Sequence, residues 1–399
     1  GRFCGRLLAD LGAEVIKLEP AEGDAVRTMG KRFHGKSLYA ASIFRNKSLV
    51  CLDLRDPRGQ DLARRLAAKS DVLVENFRPG GLEKWGLGYE RLSADNPGLV
   101  MVRISGFGQD GPYGQRAGYG VIGEAVSGLR HVTGDPDRPP ARMAVSLTDC
   151  ITGLYGAFGA AMALIARGRT GRGQVVDAAL YECAFSFMEP HVPAFDKLGA
   201  VAMRTGSRLP DSTPNNLYVS RDGLFIHITA MGNAIFRRLV DAMGQPALAD
   251  DPRFAEAVDR SNHHEAIDDL IARWTARHDL VDLERGHPEG AVPATRIFTL
   301  ADIFGDPHYK ARGMLATVPD DDLGTVTVAA PVPRLSLTPG AIRHAGRRVG
   351  QDTRRVLQEV AGLATAELDA LERDGVIRCD APGERPAGRE PAREMGGAV

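Results

Sequence analysis

Residues 48–76 read SLVCLDLRDPRGQDLARRLAAKSDVLVEN, and this stretch decides the fold class. An apolar, β-branched run at 48–54 comes first, then Asp56-Pro57-Arg58-Gly59, and a second apolar run closes it at 71–76. Pro57 suits the first turn of a helix, where its missing N–H costs nothing, and Leu62, Leu66 and Ala67 recur at helical spacing. Strand, helix, strand in that order predicts a parallel sheet with right-handed crossovers, the unit of an α/β domain. A third strand-like run at 99–105 continues the pattern. Upstream, a helix at 3–11 leads into a strand at 13–18, a unit that begins without the strand that should precede it.

Downstream, small residues fill one long predicted helix at 144–167, and 174–179 reads as another strand. Over 199–222 the composition shifts to Gly, Pro, Ser, Asn and Asp, a linker between domains. A second α/β unit follows, with a strand at 224–229 and helices at 234–243 and 262–276. Residues 314–336 return to strand patterning, and helices at 352–361 and 365–374 close the fold. The predicted organisation is a large domain over 1–198, the linker 199–222, a small α/β domain over 223–312, and a return to the large domain over 313–378. The tail 379–399 has almost no large apolar residue and is expected to be disordered.

At 399 residues and 43% hydrophobic content, the chain can fill the cores of two domains. Fifty Lys and Arg against 51 Asp and Glu leave a net charge of −1, so no sequence-wide basic field invites nucleic acid or anionic lipid. Cys4, Cys51, Cys150, Cys183 and Cys379 are scattered, odd in number and lack a CxxC pair. They read as reduced thiols of a cytoplasmic protein rather than a disulfide framework or zinc site. The ten histidines show no metal-ligand spacing, and no metal site is expected. The uncharged run 150–166, bracketed by Asp149 and Arg167, is shorter than the roughly 20 apolar residues of a membrane span. It reads as a buried helix, and nothing at the start resembles a secretory signal.

Gly106-x-Gly108-x-x-Gly111 follows a predicted strand, yet Pro112, Tyr113 and Gly114 continue the loop where a dinucleotide site needs a helix. A structural turn is the better reading. Asp149 lies near the start of the long helix, where a carboxylate ordinarily complements the helix dipole; catalysis is the sharper alternative. Gly232-Asn233 falls between strand and helix, where Asn233 can cap the helix and Gly232 allows a tight turn or a close ligand. Tyr119 is by default a core aromatic. Asn76-Phe77 sits at the carboxyl end of a strand, where open α/β sheets bind ligands. Neither a Gly-x-Ser-x-Gly elbow nor a P-loop is present. Residue-level reading ends at an α/β protein with a candidate ligand cleft.

Several phrases in order add more. They include Leu7-Leu8-Ala9-Asp10-Leu11-Gly12-Ala13-Glu14-Val15-Ile16-Lys17-Leu18-Glu19-Pro20, Gly23-Asp24, Asn46-Lys47, Asp71-Val72-Leu73-Val74-Glu75-Asn76-Phe77-Arg78-Pro79-Gly80, Ser105-Gly106-Phe107-Gly108, Thr148-Asp149, Thr170-Gly171-Arg172-Gly173-Gln174 and Asp306-Pro307-His308. Taken together they resemble the class III CoA-transferases. The resemblance implies a large Rossmann-like domain with a smaller α/β domain, and two chains interlocked as a homodimer. It implies an enzyme that moves CoA from an acyl-CoA donor to a small carboxylic acid, with CoA and acyl-CoA as substrates and no tightly bound cofactor. Asp149 falls on the family's nucleophile. The family's CoA contacts carry over to Leu52, Asp53, Leu54, Arg55, Asn76, Phe77, Arg78, Lys84, Ala117, Gly118 and Gly120. Tyr119 falls where the transferase branch has its tyrosine, and Gly232 and Asn233 in the glycine-containing active-site loop.

The racemase branch of the family has a histidine at the place of Tyr119 and a glutamate at that of Asn233, so transfer is favoured over racemisation. Succinyl-CoA is the donor suggested by the Arg116-Ala117-Gly118-Tyr119 and Ser127-Gly128-Leu129 phrases. The family's acid after that tyrosine is Gly120 here, its Asn-Lys-Arg phrase is Asn46-Lys47-Ser48, and a basic residue of one branch is Pro20. The family also opens with a strand and a CoA-touching loop before the place of Gly1-Arg2, so the first strand is expected to be missing, weakening folding and CoA binding. A non-catalytic CoA-binding protein is the alternative from a different class.

Overall fold

The opening stretch folds as the strand Lys47–Leu52 and the helix Pro57–Ala68, with the Asp56 carboxylate accepting from the Arg58 N–H at the cap. The helix starts at its proline, as the spacing predicted. The computed structural model describes residues 1–285 and 292–380; the tail beyond Asp380 lies outside the described residues.

The next strand, Val72–Glu75, does not pair with Lys47–Leu52. Lys47–Leu52 lies between Val15–Glu19, parallel, and Ile377–Arg378, antiparallel, so both its lateral positions are filled. Val72–Glu75 pairs instead with Val100–Ser105, which pairs on its other side with Val175–Ala179, all parallel. The single expected sheet is therefore two sheets of three strands, joined through the Pro57–Ala68 helix. Alternation along residues 99–104 serves two cores: Leu99 and Met101 pack with Leu52, Leu62, Leu66 and Val356, while Val100, Val102 and Ile104 pack with Cys4, Ala160 and Ala163.

The chain forms two compact units, one of Gly1–Tyr119, Asp149–Cys183 and the chain from Met314, the other of Gly120–Thr148 and Ala184–Gly313. The division differs from the expected 1–198 and 223–312. Segments 120–148 and 184–198 belong to the second unit because the loops around them are tied together. The Gly206 N–H donates to the Gly134 carbonyl at 3.0 Å, and the Arg204 guanidinium to the carbonyls of His131 and Asp135. Nor is 199–222 a bare linker, since it contains the strand Asn215–Val219. That strand, Phe225–Thr229 and Ala294–Arg296 make an antiparallel sheet. Ile226, Ile228, Phe236, Leu239, Phe254, Ile267 and Ile271 form its core. The helix expected at 262–276 is His264–Thr275, and a separate short helix, Ala257–Asn262, precedes it.

The helix expected at 144–167 is Leu147–Thr170, and by length and composition alone it could cross a membrane. One face packs on its own unit through glycines. A Cβ on Gly153 would lie 3.0 Å from Phe3 Cβ, one on Gly156 3.2 Å from Val102 Cγ1, and one on Gly159 2.6 Å from Val176 Cγ1. The other face leaves Leu154, Phe158, Met162 and Ile165 exposed.

Candidate active site

Asp149 is the third residue of the Leu147–Thr170 helix, in its first turn, with its side chain exposed. Far down the same helix the Arg167 guanidinium donates to the Gly98 carbonyl and to Asp71, at the amino ends of two strands of the parallel sheet. The helix thus runs antiparallel to those strands, and Asp149 stands at their carboxyl ends, where open α/β sheets bind ligands. The positive end of the helix dipole favours negative charge there. The first helix of the chain packs across at Gly153, one turn beyond Asp149.

Tyr39 and Cys150 share this corner, and neither was singled out from the sequence. Burial pushes the Tyr39 phenol up, and the charges of Cys150 and Asp149 add to the push against Arg2 and Arg6. Burial likewise raises the Cys150 thiol, with Asp149 as the next cause. Tyr39 follows no recognisable motif, so only proximity reveals it.

Asn76, Phe77 and Arg78 leave the Val72–Glu75 strand at the same sheet end and are exposed. Their turn is braced from beneath. The buried Glu75 carboxylate accepts from the Phe77 N–H at 2.6 Å and from Arg103 Nε at 2.8 Å, while Arg103 also forks onto Glu83 at 2.7 and 3.2 Å. Burial pushes the Glu75 carboxyl up, opposed by these bonds. Phe77 stands edge-on to Trp85 at 5.3 Å between centroids. Gly81 is required, because a Cβ would lie 2.9 Å from both the Arg78 carbonyl oxygen and Phe77 Cβ. Among the described residues, Arg78 and the exposed Lys84 form no ion pair, which leaves two cations open to an anion.

Leu52 ends its strand in the core, and Asp53 and Leu54 follow, half-buried. The Asp53 N–H donates to the Val376 carbonyl at 2.9 Å. Its carboxylate takes the Arg55 N–H, Nε and Nη2, so one edge of the exposed Arg55 guanidinium is already engaged. These four residues belong to the other sheet, not to the one below Asp149.

The Gly106 turn after Val100–Ser105 is structural, as expected, and its reason is a backbone contact. A Cβ on Gly106 would lie 2.6 Å from Gly118 Cα, and one on Gly118 would collide with Gly106 in return. This contact seats Ala117-Gly118-Tyr119 against the same sheet end. Tyr119 is 76% exposed and is no core aromatic. Gly120 is buried and opens the helix Gly120–Val126. Asp149, Asn76–Arg78 and Tyr119 therefore gather at the carboxyl ends of one three-stranded parallel sheet.

Gly232 and Asn233 lie in the second unit. Gly232, not Asn233, takes the cap position of the Asn233–Ala242 helix, with φ −78° and ψ 144°. Its Cβ position is open, so neither a left-handed turn nor packing within the chain demands glycine. The Asn233 amide donates to Glu256 Oε2 at 2.8 Å and its Oδ1 accepts from Arg260 at 2.8 Å.

Residues 1–353 match the family described as CoA-transferase family III. The chain is 46% identical to the succinyl-CoA–D-citramalate CoA-transferase of Chloroflexus aurantiacus, with 94% of each chain covered. It is 36% identical to the succinate–glutarate CoA-transferase of Agrobacterium fabrum, covering 94% of this chain and 93% of that one. A CAIB/BAIF family protein from Brucella suis has a crystal structure that superposes with a TM-score of 0.78 at 35% identity, covering 90% of this chain and 95% of that one. A hypothetical protein from Mycobacterium tuberculosis superposes with the same TM-score at 26% identity, covering 89% and 94%.

Proposed function

This chain belongs to CoA-transferase family III and is a transferase, and on that premise we propose that it moves CoA from succinyl-CoA to a second small dicarboxylic acid through Asp149. The observation that carries this reading is the gathering of Asp149, Asn76–Arg78 and Tyr119 at one sheet end. The donor is supported by relatives whose names specify succinyl-CoA with citramalate or malate, and by the succinate–glutarate enzyme.

In the proposed sequence an Asp149 carboxylate oxygen attacks the thioester carbonyl carbon of succinyl-CoA. The C–S bond breaks, CoA leaves as thiolate, and a succinyl–aspartyl anhydride remains. Thiolate then attacks the Asp149 carbonyl carbon, succinate departs, and Asp149 holds CoA as a thioester. An acceptor carboxylate attacks this thioester and expels the thiolate, forming an acceptor–aspartyl anhydride. Thiolate attack on the acceptor's acyl carbon releases the new acyl-CoA and restores the Asp149 carboxylate. One thioester is exchanged for another with no net proton change, and one difficult exchange becomes several easier ones.

Arg78 and Lys84, unpaired within the described residues, are suited to the CoA phosphates, with Asn76 and Phe77 beside them. Arg55 meets a phosphate with a charge that Asp53 already partly offsets. The resemblance supports Tyr119 as the residue that orients the reacting acyl group, and the Gly232 amide as a donor to an oxyanion. The exposed Leu154, Phe158, Met162 and Ile165 face supports a homodimer, because a second copy would cover it.

Intact-protein mass spectrometry after mixing with succinyl-CoA tests the chemistry. A hydroxylamine-sensitive adduct on Asp149, absent from Asp149→Ala, is expected. A protein that binds CoA yet forms no adduct, or that exchanges the substrate α-proton with solvent without transferring CoA, would sink the transferase mechanism.

A further inference from the structure

Arg260 is 0% exposed and makes no ion pair among the described residues. Its guanidinium is surrounded by oxygens that carry no formal charge. Nη2 donates to the Met231 carbonyl at 2.7 Å and to Asn233 Oδ1 at 2.8 Å. Nη1 donates to the carbonyls of Phe254 at 2.7 Å and Ala255 at 3.3 Å, and Nε to that of Thr213 at 3.3 Å. Cζ lies 4.5 Å from the centre of the Phe236 ring. Glu256 and Asp259 act on it only through space, so burying the cation is still costly, and an apolar side chain would fill the same core without that cost. What the ion provides is a fixed backbone: two of its five acceptors, Met231 and Asn233, flank Gly232.

We propose that Arg260 is a positioning residue that aims the Gly232 amide out of the second unit. This rests on the reading above, that the Gly232 loop serves the acyl transfer. A peptide group is planar and trans, so the Met231 carbonyl and the Gly232 N–H share one plane and point in opposite directions. With the Met231 oxygen drawn inward onto Arg260, the Gly232 N–H is turned outward. Asn233 locks the other side, since its Oδ1 is held by Arg260 and its amide by Glu256. Asn233 is thereby a tether of the loop rather than a group that touches substrate. The buried positive charge also polarises the peptide it binds, strengthening the outward N–H as a donor.

The test compares Arg260→Lys, Gly232→Pro and the double variant in the full chain. Proline adopts a φ near the −78° of Gly232 and the Cβ position is open, so Gly232→Pro deletes the N–H with little disturbance. Thermal melts and amide exchange over 230–236 accompany kcat and KM for succinyl-CoA. Arg260→Lys is expected to fold, to speed exchange at Phe236, whose N–H donates to the Gly232 carbonyl at 2.9 Å, and to lower kcat about 10- to 100-fold with KM nearly unchanged, the scale of a slightly misplaced catalytic group. A role confined to stability would lower the melting temperature and leave kcat per folded molecule intact. The double variant is expected to be no slower than Gly232→Pro alone, because both act through one N–H.

Wild-type kcat in Gly232→Pro overturns the loop reading itself. An impaired Gly232→Pro beside a folded Arg260→Lys with wild-type kcat overturns only the role of Arg260, as do losses that multiply in the double. Should Arg260→Lys not fold, Asn233→Ala removes one acceptor from the same guanidinium at an exposed position. A kcat loss of about 3- to 10-fold with faster exchange at Phe236 then supports the proposal, and wild-type values overturn it.

Discussion

Replacing Gly106 with alanine tests whether a glycine contact places Tyr119. The added Cβ would lie 2.6 Å from Gly118 Cα and 3.2 Å from Gly118 N. Two carbons prefer a separation of about 3.5–4.0 Å, so the overlap is about 1 Å, and the atoms struck are backbone that cannot rotate away. The loop must retreat by about that distance. Overpacking of this kind costs about 1–3 kcal/mol, which for a unit of this size lowers Tm by roughly 2–4 °C for each kcal/mol. Tyr119 is so exposed within its unit that the loop backbone sets its position. A displacement of about 1 Å in a reacting assembly costs about 100-fold in rate. The expected result is a modest fall in Tm by differential scanning fluorimetry with a kcat loss far larger than the change in folded fraction explains. Wild-type Tm and kcat together would refute the contact. A lowered Tm with unchanged kcat would refute the placement of Tyr119 by it.

Lys47 is buried, its Nζ donates to the Arg2 carbonyl at 2.7 Å, and burial first and the Lys17 charge second bring its pKa down to about 7. Between that value and the ordinary lysine pKa the unfolded chain holds the proton and the folded one releases it, so stability rises with pH by up to about 1.4 kcal/mol per unit. Denaturant midpoints of the wild type are expected to climb from pH 7 to 9, and those of Lys47→Met to climb less; parallel curves would count against a neutralised Lys47. Phe158→Glu puts a charge in the middle of the exposed stripe on the long helix. Light scattering is expected to find a dimer for the wild type and a monomer for the variant, and the same mass for both would remove the stripe from any interface.

The elements legible in the sequence were those specified by near neighbours. Pro57 marks a helix start within its own turn, and the 99–105 run alternates because its two faces meet two cores. Strand partnership was not legible, because it depends on residues far apart. Ile377–Arg378 is two residues long, too short for any pattern, yet it occupies the flank of Lys47–Leu52 and sends Val72–Glu75 to another sheet. The unit boundaries were hidden for the same reason. Arg204 binds carbonyls at 131 and 135 across some seventy residues, and nothing in the composition of 120–148 announces that tie.

At the site, the resemblance located the exposed residues, and the structure supplied the supports beneath them. Arg103 and Arg260 read in a sequence as surface cations, and burial alone reveals that one braces the Phe77 turn while the other holds the Gly232 loop. Gly232 makes the clearest case. Its letter fitted a left-handed turn and a close ligand equally well, but its φ is negative and its Cβ would meet no atom of the chain. The local fold therefore does not require glycine at that position. Arg55 argues in the opposite direction. It sits in the phrase that resembles a CoA contact, yet Asp53 already engages its guanidinium twice, so a phosphate at that place shares a cation whose charge is partly offset. Of the three cations the resemblance nominated, Arg78 and Lys84 carry no ion pair among the described residues, and phosphate affinity in this chain should depend on them first.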